Sequence, residues 1–426
     1  MAEYEAYKDS GAAWIGNIPA EWEVGRLKNH LKRTDARNPG GVQVLSLYRE
    51  LGIVPKDSRY DNHNVTSEDT SNYKYVQPGD FVVNKMKAWQ GSVAVSDYEG
   101  IVSPAYYVYK FLNHRFHKRY FHYLIRSCYK EEFMRLSAGI RIGQWDLSSD
   151  DLDCVLVLLP TIEEQIAIAE FLDAKVAHID SVIAEAKTSI EEYKAWKASI
   201  IYEAVTKGLD PNVEMKDSGV EWIGTVPTGW ELPRIKNIAI FMPKCDFSIC
   251  TSETPITFTP MECIRTGTFE NRSKLFGEIE GTYTQYAEGD IVLAKVTPCF
   301  ENGNVCIMKQ LHSGVGMGSS ELFVLRPTKI HDRYLFYVLQ HSGFKDAACA
   351  TMTGTGGLKR VSSSFIQNCH IPYPAISVQK RIADYLDDKC SSISNLIAEK
   401  ETLITDLEAY KKSLIFEVVT GKRKVV

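Results

Sequence analysis

Lys8-Asp9-Ser10-Gly11-Ala12-Ala13-Trp14-Ile15-Gly16 returns 208 residues later as Lys216-Asp217-Ser218-Gly219-Val220-Glu221-Trp222-Ile223-Gly224. From Lys8 to Asn29, 13 of 22 positions match Lys216 to Asn237, including Pro19/Pro227, Trp22/Trp230 and Glu23/Glu231. Further on, Gly79-Asp80 and Lys85 match Gly289-Asp290 and Lys295 at an offset of 210, and from Arg119-Tyr120 to Val205-Thr206 the offset holds at 214. The insertions therefore fall between residues 30 and 119. A period near 210 residues is too long for a solenoid and describes a duplicated domain plus a connector.

The connectors carry the clearest periodicity. Leu172, Val176, Ile179, Ile183, Ala186, Ile190, Tyr193, Lys197, Ile200 and Ala204 alternate steps of four and three, the spacing of a coiled-coil seam. Adding 214 gives Leu386, Cys390, Ile393, Ile397, Lys400, Ile404, Leu407, Lys411, Leu414 and Val418. The two helices share a polar interruption, at Lys197 and Lys411, and are each other's natural partner. Thr161 with Glu164 reads as a capping box that starts the first helix; Gly208 and Pro211 end it. At 1.5 Å per residue the stretch from Ile162 to Lys207 spans on the order of 65–70 Å. Ala375 and Val378 stand where the second capping box would be, so that cap differs.

Each globular half is expected to be α+β. Asp80 to Asn84, Ser92 to Val95, Ala105 to Lys110, Ile291 to Lys295 and Glu321 to Arg326 have strand composition, whereas Phe116 to Leu136 and His331 to Ala350 have helical patterns. The expected segments are residues 1–160, a long helix at 161–210, a second globular segment at 211–374 and a second long helix at 375–426. An antiparallel return would bring the C-terminal residues near the start of the first domain and relate the halves by a pseudo-two-fold axis.

The chain has 426 residues, 44% hydrophobic and 24% charged, which fits several folded domains and not a disordered chain. No apolar run is long enough to span a bilayer and the N-terminal stretch lacks a secretion signal's layout, so no membrane association and a cytoplasmic location are expected. The ten cysteines are scattered without a CxxC pair, which reads as reduced thiols and no metal site. The net charge of −5 looks unfavourable for nucleic acid. Residues 161–214, however, hold 5 Lys+Arg against 11 Asp+Glu, while residues 1–160 hold 20 against 20 and residues 215–374 hold 15 against 15. Each globular half is left able to carry a basic face.

Two diverged copies on a helical spacer suit a two-part ligand such as duplex DNA with two different half-sites. The residues resemble the specificity (S) subunits of type I restriction-modification systems. The resemblance rests on the KDSG..WIG.IP..WE segment opening each half, the PGD segment leading to Lys85-Met86-Lys87-Ala88-Trp89-Gln90-Gly91, Ser103-Pro104-Ala105-Tyr106-Tyr107, and the Leu-Pro-x-x-Glu-Glu-Gln helix start at 159–165. It implies two target-recognition domains, each reading one half of a bipartite asymmetric DNA site, separated by two long antiparallel coiled-coil helices. It further implies two modification (methyltransferase) subunits and restriction (endonuclease/translocase) subunits as partners. S-adenosylmethionine, ATP and Mg would belong to those subunits, with no cofactor and no catalytic residue in this chain.

Base readout needs donors and acceptors on loops. The candidates are Asn84, Lys85, Lys87, Trp89 and Gln90, then Arg141, Gln144 and Trp145; in the second half they are Lys295, Thr297 and Asn302, then Thr355, Gly356, Lys359 and Arg360. Residues 110–141 interleave cations with aromatics, and Arg119 joins the candidates from there as a phosphate contact; the alternative is an amphipathic helix with an aromatic core face. Trp14, Trp22, Trp222 and Trp230 recur in both halves and fit core packing better than base stacking. A methyltransferase reading lacks a Pro-Pro catalytic motif, and Gly354-Thr355-Gly356-Gly357 lacks the strand context of a phosphate cradle. Glu185-Ala186-Lys187 lies on the heptad helix, against a nuclease centre, and His114 with His117 has no third ligand nearby. The non-enzymatic rival, an adaptor for protein partners, is separated by salt: phosphate contacts weaken steeply with it.

Overall fold

A computed structural model of the chain describes residues 4–49, 51–58, 66–139, 145–355 and 357–425. They fall into two compact units, Met1–Ala186 with Thr402–Val426, and Lys187–Glu401. Eight α-helices are present among the described residues: α1 Lys118–Ser127, α2 Lys130–Leu136, α3 Ser149–Asp153, α4 Ile162–Lys207, α5 Asp332–Gln340, α6 Ser342–Cys349, α7 Ser363–Asn368 and α8 Ile376–Val419. Each unit takes part of α4 and part of α8; the first is built from two stretches of the chain and the second from one.

The core of each unit is a four-stranded antiparallel sheet. In the first unit the order is Leu31–Thr34, Tyr106–Phe111, Phe81–Asn84, Val93–Val95; in the second it is Ala239–Phe241, Leu322–Pro327, Ile291–Ala294, Val305–Ile307. Alternate side chains leave a strand on opposite faces. Phe81 and Val83 accordingly join the core shared with the helices, while Val82 joins a second core with Leu45, Ile53, Val76 and Val102. Ile291 and Leu293 split from Val292 in the same way. The helix-facing layer is common to both units; the other layer is where the repeats diverge. There the first unit has two small hairpin-like sheets, Leu45–Tyr48 with Gly52–Pro55 and Lys74–Val76 with Gly100–Val102. The second has a four-stranded mixed sheet in which Pro255–Thr259 runs parallel to Val315–Gly318.

The opening motif is a small hairpin, Tyr7–Asp9 with Asn17–Pro19 and Met215–Asp217 with Thr225–Pro227. Its following Pro and Trp form a seat for a helix end. Gly421, just after α8, has φ +69°, and a Cβ there would stand 2.3 Å from Pro19 and 3.2 Å from Trp22; Gly208, just after α4, has φ +80°, with Trp230 at 3.1 Å. Only glycine adopts that conformation without strain at such close approach. Trp22 is buried, and Trp14, Trp222 and Trp230 pack against the cores, as the repeat of these residues implied. Lys422 donates to the Ile15 carbonyl at 2.7 Å, so the C-terminal segment does return to the first unit's opening hairpin.

Two tyrosines on the short helices complete the seat. The fully buried Tyr120 hydroxyl reaches the carbonyl of Val419 at 3.4 Å, the end of α8; Tyr334 donates to Val205 at 3.2 Å, near the end of α4, and to Pro372 at 3.0 Å. A helix leaves its last carbonyls unpaired, and burial makes such groups costly. Beside each tyrosine runs a second tie. Arg119 and Tyr123 on α1 bond Asp173 on α4 at 2.7 and 2.6 Å. On α5, Arg333 and Tyr337 do the same to Asp387 on α8, the tyrosine at 2.7 Å.

The glutamine kept in both helix starts has a structural reason. Gln165, fully buried, accepts from the His117 N–H at 2.8 Å and donates to the carbonyls of Arg115 and Pro160 at 2.9 and 3.0 Å. Gln379 accepts from His331 at 2.9 Å and donates to Pro374 at 2.8 Å. Each joins the start of a long helix to the start of a short one. The capping box forms only in part: Thr161 accepts from the Glu164 N–H at 3.3 Å, but the Glu164 carboxylate takes Tyr4 and the Trp22 indole N–H (3.0 Å) instead of closing the box. In the second repeat Val378 stands at the place of Glu164, so Trp230, the equivalent of Trp22, has no carboxylate there, whereas the glutamine and its bonds are kept.

Along the long helices Leu172, Ile179, Ile183, Ile190, Leu386, Ile393 and Leu414 are buried, and Val176, Tyr193, Ile200, Ile397, Ile404 and Leu407 are half-buried. The polar interruptions have repeated partners: Lys197 donates to Ser394 at 2.8 Å in one unit and Lys411 pairs with Asp180 in the other. Two helical expectations are corrected. Residues 116–136 break at Cys128 and Tyr129 into α1 and α2, and residues 331–350 break at His341 into α5 and α6. Ile125, Tyr129 and Phe133 keep a step of four through the break, so periodicity does not reveal it. The break lets the buried Tyr129 ring meet Trp14 at 4.4 Å.

Truncating Gln165 to Ala strands three backbone groups, one of them in a buried bond and two in part-buried ones, and the expected loss is about 3 kcal/mol of first-unit stability by urea denaturation. His341 gives a pH signature. Its Nδ1 accepts from the Phe344 N–H at 3.3 Å, and burial, with Lys345 adding and Asp346 opposing, lowers its pKa to about 4 from 6.5. Below pH 6.5 the unfolded chain binds a proton that the folded unit accepts only near pH 4. The contribution is therefore complete above pH 6.5 and lost as pH falls to 4, at most about 3 kcal/mol. His341→Asn, which keeps an acceptor, is expected to flatten the urea midpoint across that window.

Candidate nucleic-acid interface

In the first unit the strand Phe81–Asn84 runs out at its end into Lys85-Met86-Lys87 and a 3-10 turn, Ala88–Gln90. Opposite it, Ala138 and Asp146 exchange backbone bonds at 3.2 and 2.9 Å, forming the neck of a hairpin. Arg141 and Gln144 lie outside the described residues. The strand end and the hairpin neck are tied together: the Leu147 N–H donates to the Lys85 carbonyl at 3.0 Å, the Lys85 ammonium pairs with Asp146 at 3.0 Å, and the Trp89 and Trp145 rings meet edge to face at 5.4 Å. Two stretches separated by some fifty residues thus form one surface.

Within it the polar groups divide by occupation. Asn84 is buried and accepts from the Met86 N–H at 3.2 Å; the Trp89 indole N–H donates to the Met86 carbonyl at 3.1 Å. Lys87 and Gln90 carry no side-chain partner among the described residues, and Lys87 is exposed. They border a cleft of about 360 Å³ whose other wall comes from the diverged layer, with Val44, Ser46 and Lys56. Beside it, Arg33 and Lys74 stand over the Tyr107 ring at 5.8 and 5.5 Å. Burial lowers the Lys74 pKa although Asp35 lies 3.5 Å away. Sequence reading missed Arg33, Lys56 and Lys74, since nothing local marks them; a repeat-free segment flanking the motifs was their only signal.

The second unit repeats the backbone plan with different side chains. The strand Ile291–Ala294 runs into Lys295, Val296 and Thr297, which pair with Lys359 to Val361; Thr353 and Arg360 exchange bonds at 3.1 and 2.9 Å to form the hairpin neck. Lys295 donates to the Ser320 carbonyl at 2.6 Å, and the Thr297 hydroxyl lies between the Gly357 carbonyl (2.8 Å) and the Lys359 N–H (3.0 Å). Arg360 forms a two-pronged pair with Glu321, both contacts 2.8 Å, which depresses the Glu321 pKa. Asn302, Thr355 and Lys359 are exposed, Asn302 on a turn closed by its N–H to Pro298 at 2.9 Å. Gly356 lies outside the described residues. Asp146 and Arg360 are repeat equivalents, so the charge at the hairpin neck is inverted between the units.

Arg119 sits on the α1–α4 contact, paired with Asp173 at 2.7 Å and with its side chain 41% exposed. The aromatic face of residues 110–141 is core, with Phe116, Tyr120, Phe121, Tyr123, Tyr129 and Phe133 all buried.

The model of the "Type I restriction modification DNA specificity domain" matches this chain twice, at residues 21–192 and 227–405. The chain belongs to that family. It is 40% identical over 162 residues to the EcoEI specificity subunit of Escherichia coli, 37% of this chain and 27% of that one, and 33% identical over 228 residues to the EcoAI specificity subunit, 52% and 38% respectively. The chain thus matches well under half the length of these two. A longer match, 25% identical over 428 residues, joins it to the MjaVIII specificity subunit of Methanocaldococcus jannaschii, 96% of this chain and 94% of that one. Among solved structures it resembles a chain from the structure describing complex assembly and conformational transition of the type I R-M system, with TM-score 0.70, 15% identity and 95% and 99% coverage. The HsdS subunit of Thermoanaerobacter tengcongensis follows at TM-score 0.55, 16% identity and 95% and 98% coverage; at these identities the likeness is one of fold. Each match spans one repeat, including its strand end and hairpin neck.

If the two tryptophans hold the first hairpin to the strand end, Trp89→Ala removes a contact worth about 1 kcal/mol. Amide exchange at Ala138 and Asp146 is then expected to rise about fivefold, with exchange in the second unit unchanged.

Proposed function

We propose that this chain is the DNA sequence-specificity subunit of a type I restriction-modification complex, in which each recognition domain reads one half of a bipartite, asymmetric site on double-stranded DNA. The observation that carries the reading is the site built twice: the same strand end and hairpin neck in each unit, with different side chains and inverted charge at equivalent positions. A single conserved ligand would need like sites. Two different half-sites need unlike ones on the same scaffold.

In this reading the chain recognises and its partners do the chemistry. Two modification subunits hold S-adenosylmethionine, restriction subunits hold ATP and Mg, and the complex works in the cytoplasm. The long helices set the spacing between half-sites and dock the modification subunits. Trp196 and Tyr410 support the docking role: they are repeat equivalents, one on α4 and one on α8, and stand 51% and 50% exposed. An aromatic side chain left in water at two related places is what two copies of one partner would bury.

The decisive experiment is single-molecule mapping of methyladenine in a host that coexpresses this chain with its modification subunit, against the host without the chain. A gapped two-part motif that depends on the chain is expected. No motif, with the complex assembled and the modification subunit active beside another specificity chain, would favour the protein-adaptor alternative. Binding of the complex to a site-bearing duplex is also expected to fall by about a thousandfold between 50 and 200 mM salt, as several phosphate contacts require.

A further inference from the structure

Arg360 and Glu321 form a pair whose geometry is specific to one kind of ligand. Arg360 stands mid-ladder: its own backbone pairs with Thr353, and its neighbours Lys359 and Val361 pair with Thr297 and Lys295. The Glu321 carboxylate takes the Arg360 Nε and Nη2 at 2.8 Å each. Glu321 is itself fixed, its N–H donating to the Ser319 hydroxyl at 3.2 Å and its carbonyl accepting from the Lys295 N–H at 3.0 Å. Rotamer and backbone are thus both set before any ligand arrives, the condition for a precise recognition group.

A guanidinium has two flat edges that present parallel N–H pairs. Glu321 fills the edge formed by Nε and Nη2. The other edge, Nη1 with the outer N–H of Nη2, has no partner among the described residues, and the Arg360 side chain is 48% exposed. Two parallel donors match two adjacent acceptors, and in the major groove only guanine, through N7 and O6, offers these on one base. The paired carboxylate also cancels most of the cation's pull on phosphate, so the pair favours a base edge over the backbone. At the equivalent place in the first unit stands Asp146, an acceptor held by Lys85, which has no donors for guanine.

We propose that Arg360 reads a guanine in the half-site of the second recognition domain, with Glu321 as the positioning residue that presents its free edge. This rests on the function proposed above. Once methylation mapping has supplied the motif, each guanine of a site-bearing duplex is replaced in turn by 7-deazaguanine, which lacks the N7 acceptor, and binding by the assembled modification complex is measured. One guanine is expected at which the wild type loses about tenfold in affinity, while R360A, which has no side-chain donor, shows no loss. E321Q is expected to shrink the loss at that guanine to about threefold. Every 7-deazaguanine penalty in the other half-site stays as in the wild type, which also reports that the variants are folded and assembled. The proposal is overturned if no guanine shows an Arg360-dependent penalty, or if the variants weaken normal and substituted duplexes alike, the mark of a merely structural pair. Absence of any gapped motif is a different result, one that removes the specificity function itself.

Discussion

A buried helix terminus governs this structure. The carbonyls that end α8 and α4 lie against the cores of the two units, where unpaired polar groups are expensive. The chain answers twice with a glycine in the left-handed conformation, a tryptophan against it and a buried tyrosine hydroxyl, in Gly421, Trp22 and Tyr120 and again in Gly208, Trp230 and Tyr334, with Pro19 added to the first seat. Because each helix begins in one unit and ends in the other, neither unit is complete without chain from both repeats. Among the repeated residues, Trp22/Trp230 and Tyr120/Tyr334 are those that meet this constraint.

That division of labour frees the other side of each sheet. Phe81 and Val83 are committed to the helix-facing core, as are Ile291 and Leu293, but the opposite faces through Val82 and Val292 support layers of different topology in the two units. Strand ends and hairpin necks lie where the constant and diverged layers meet. They keep a common backbone ladder and change their side chains. The exchange of Lys85–Asp146 for Glu321–Arg360 is the clearest case: the neck stays ionically held although the acid has moved from the hairpin to the neighbouring strand.

Several features were legible from residues alone. The repeat, the long helices and their seam, the strands around Phe81 and Ile291, and the packing of the four tryptophans follow from identity at fixed offsets and from periodicity. The candidate loops were legible as stretches, but not what each side chain does. Asn84, Lys85, Lys295 and Thr297 look equally available in a sequence, yet the side chain of each is bonded within the protein, while those of Lys87, Gln90 and Lys359 have no partner among the described residues. Arg119 shows the same limit: nothing local in the sequence reveals that Asp173, fifty-four residues on, is brought beside it.

By itself the sequence determined the duplicated architecture, since hydrophobic period and repeat offset are properties of residues along the chain and need no knowledge of distant contacts. Only the tertiary structure decided which polar groups remain to meet a ligand. Their availability depends on partners supplied by other segments: Glu321 for Arg360, Asp146 for Lys85, and the buried carbonyls of helices that began in the other repeat. Pairing of that kind is set by packing in three dimensions, and no local pattern in the chain encodes it.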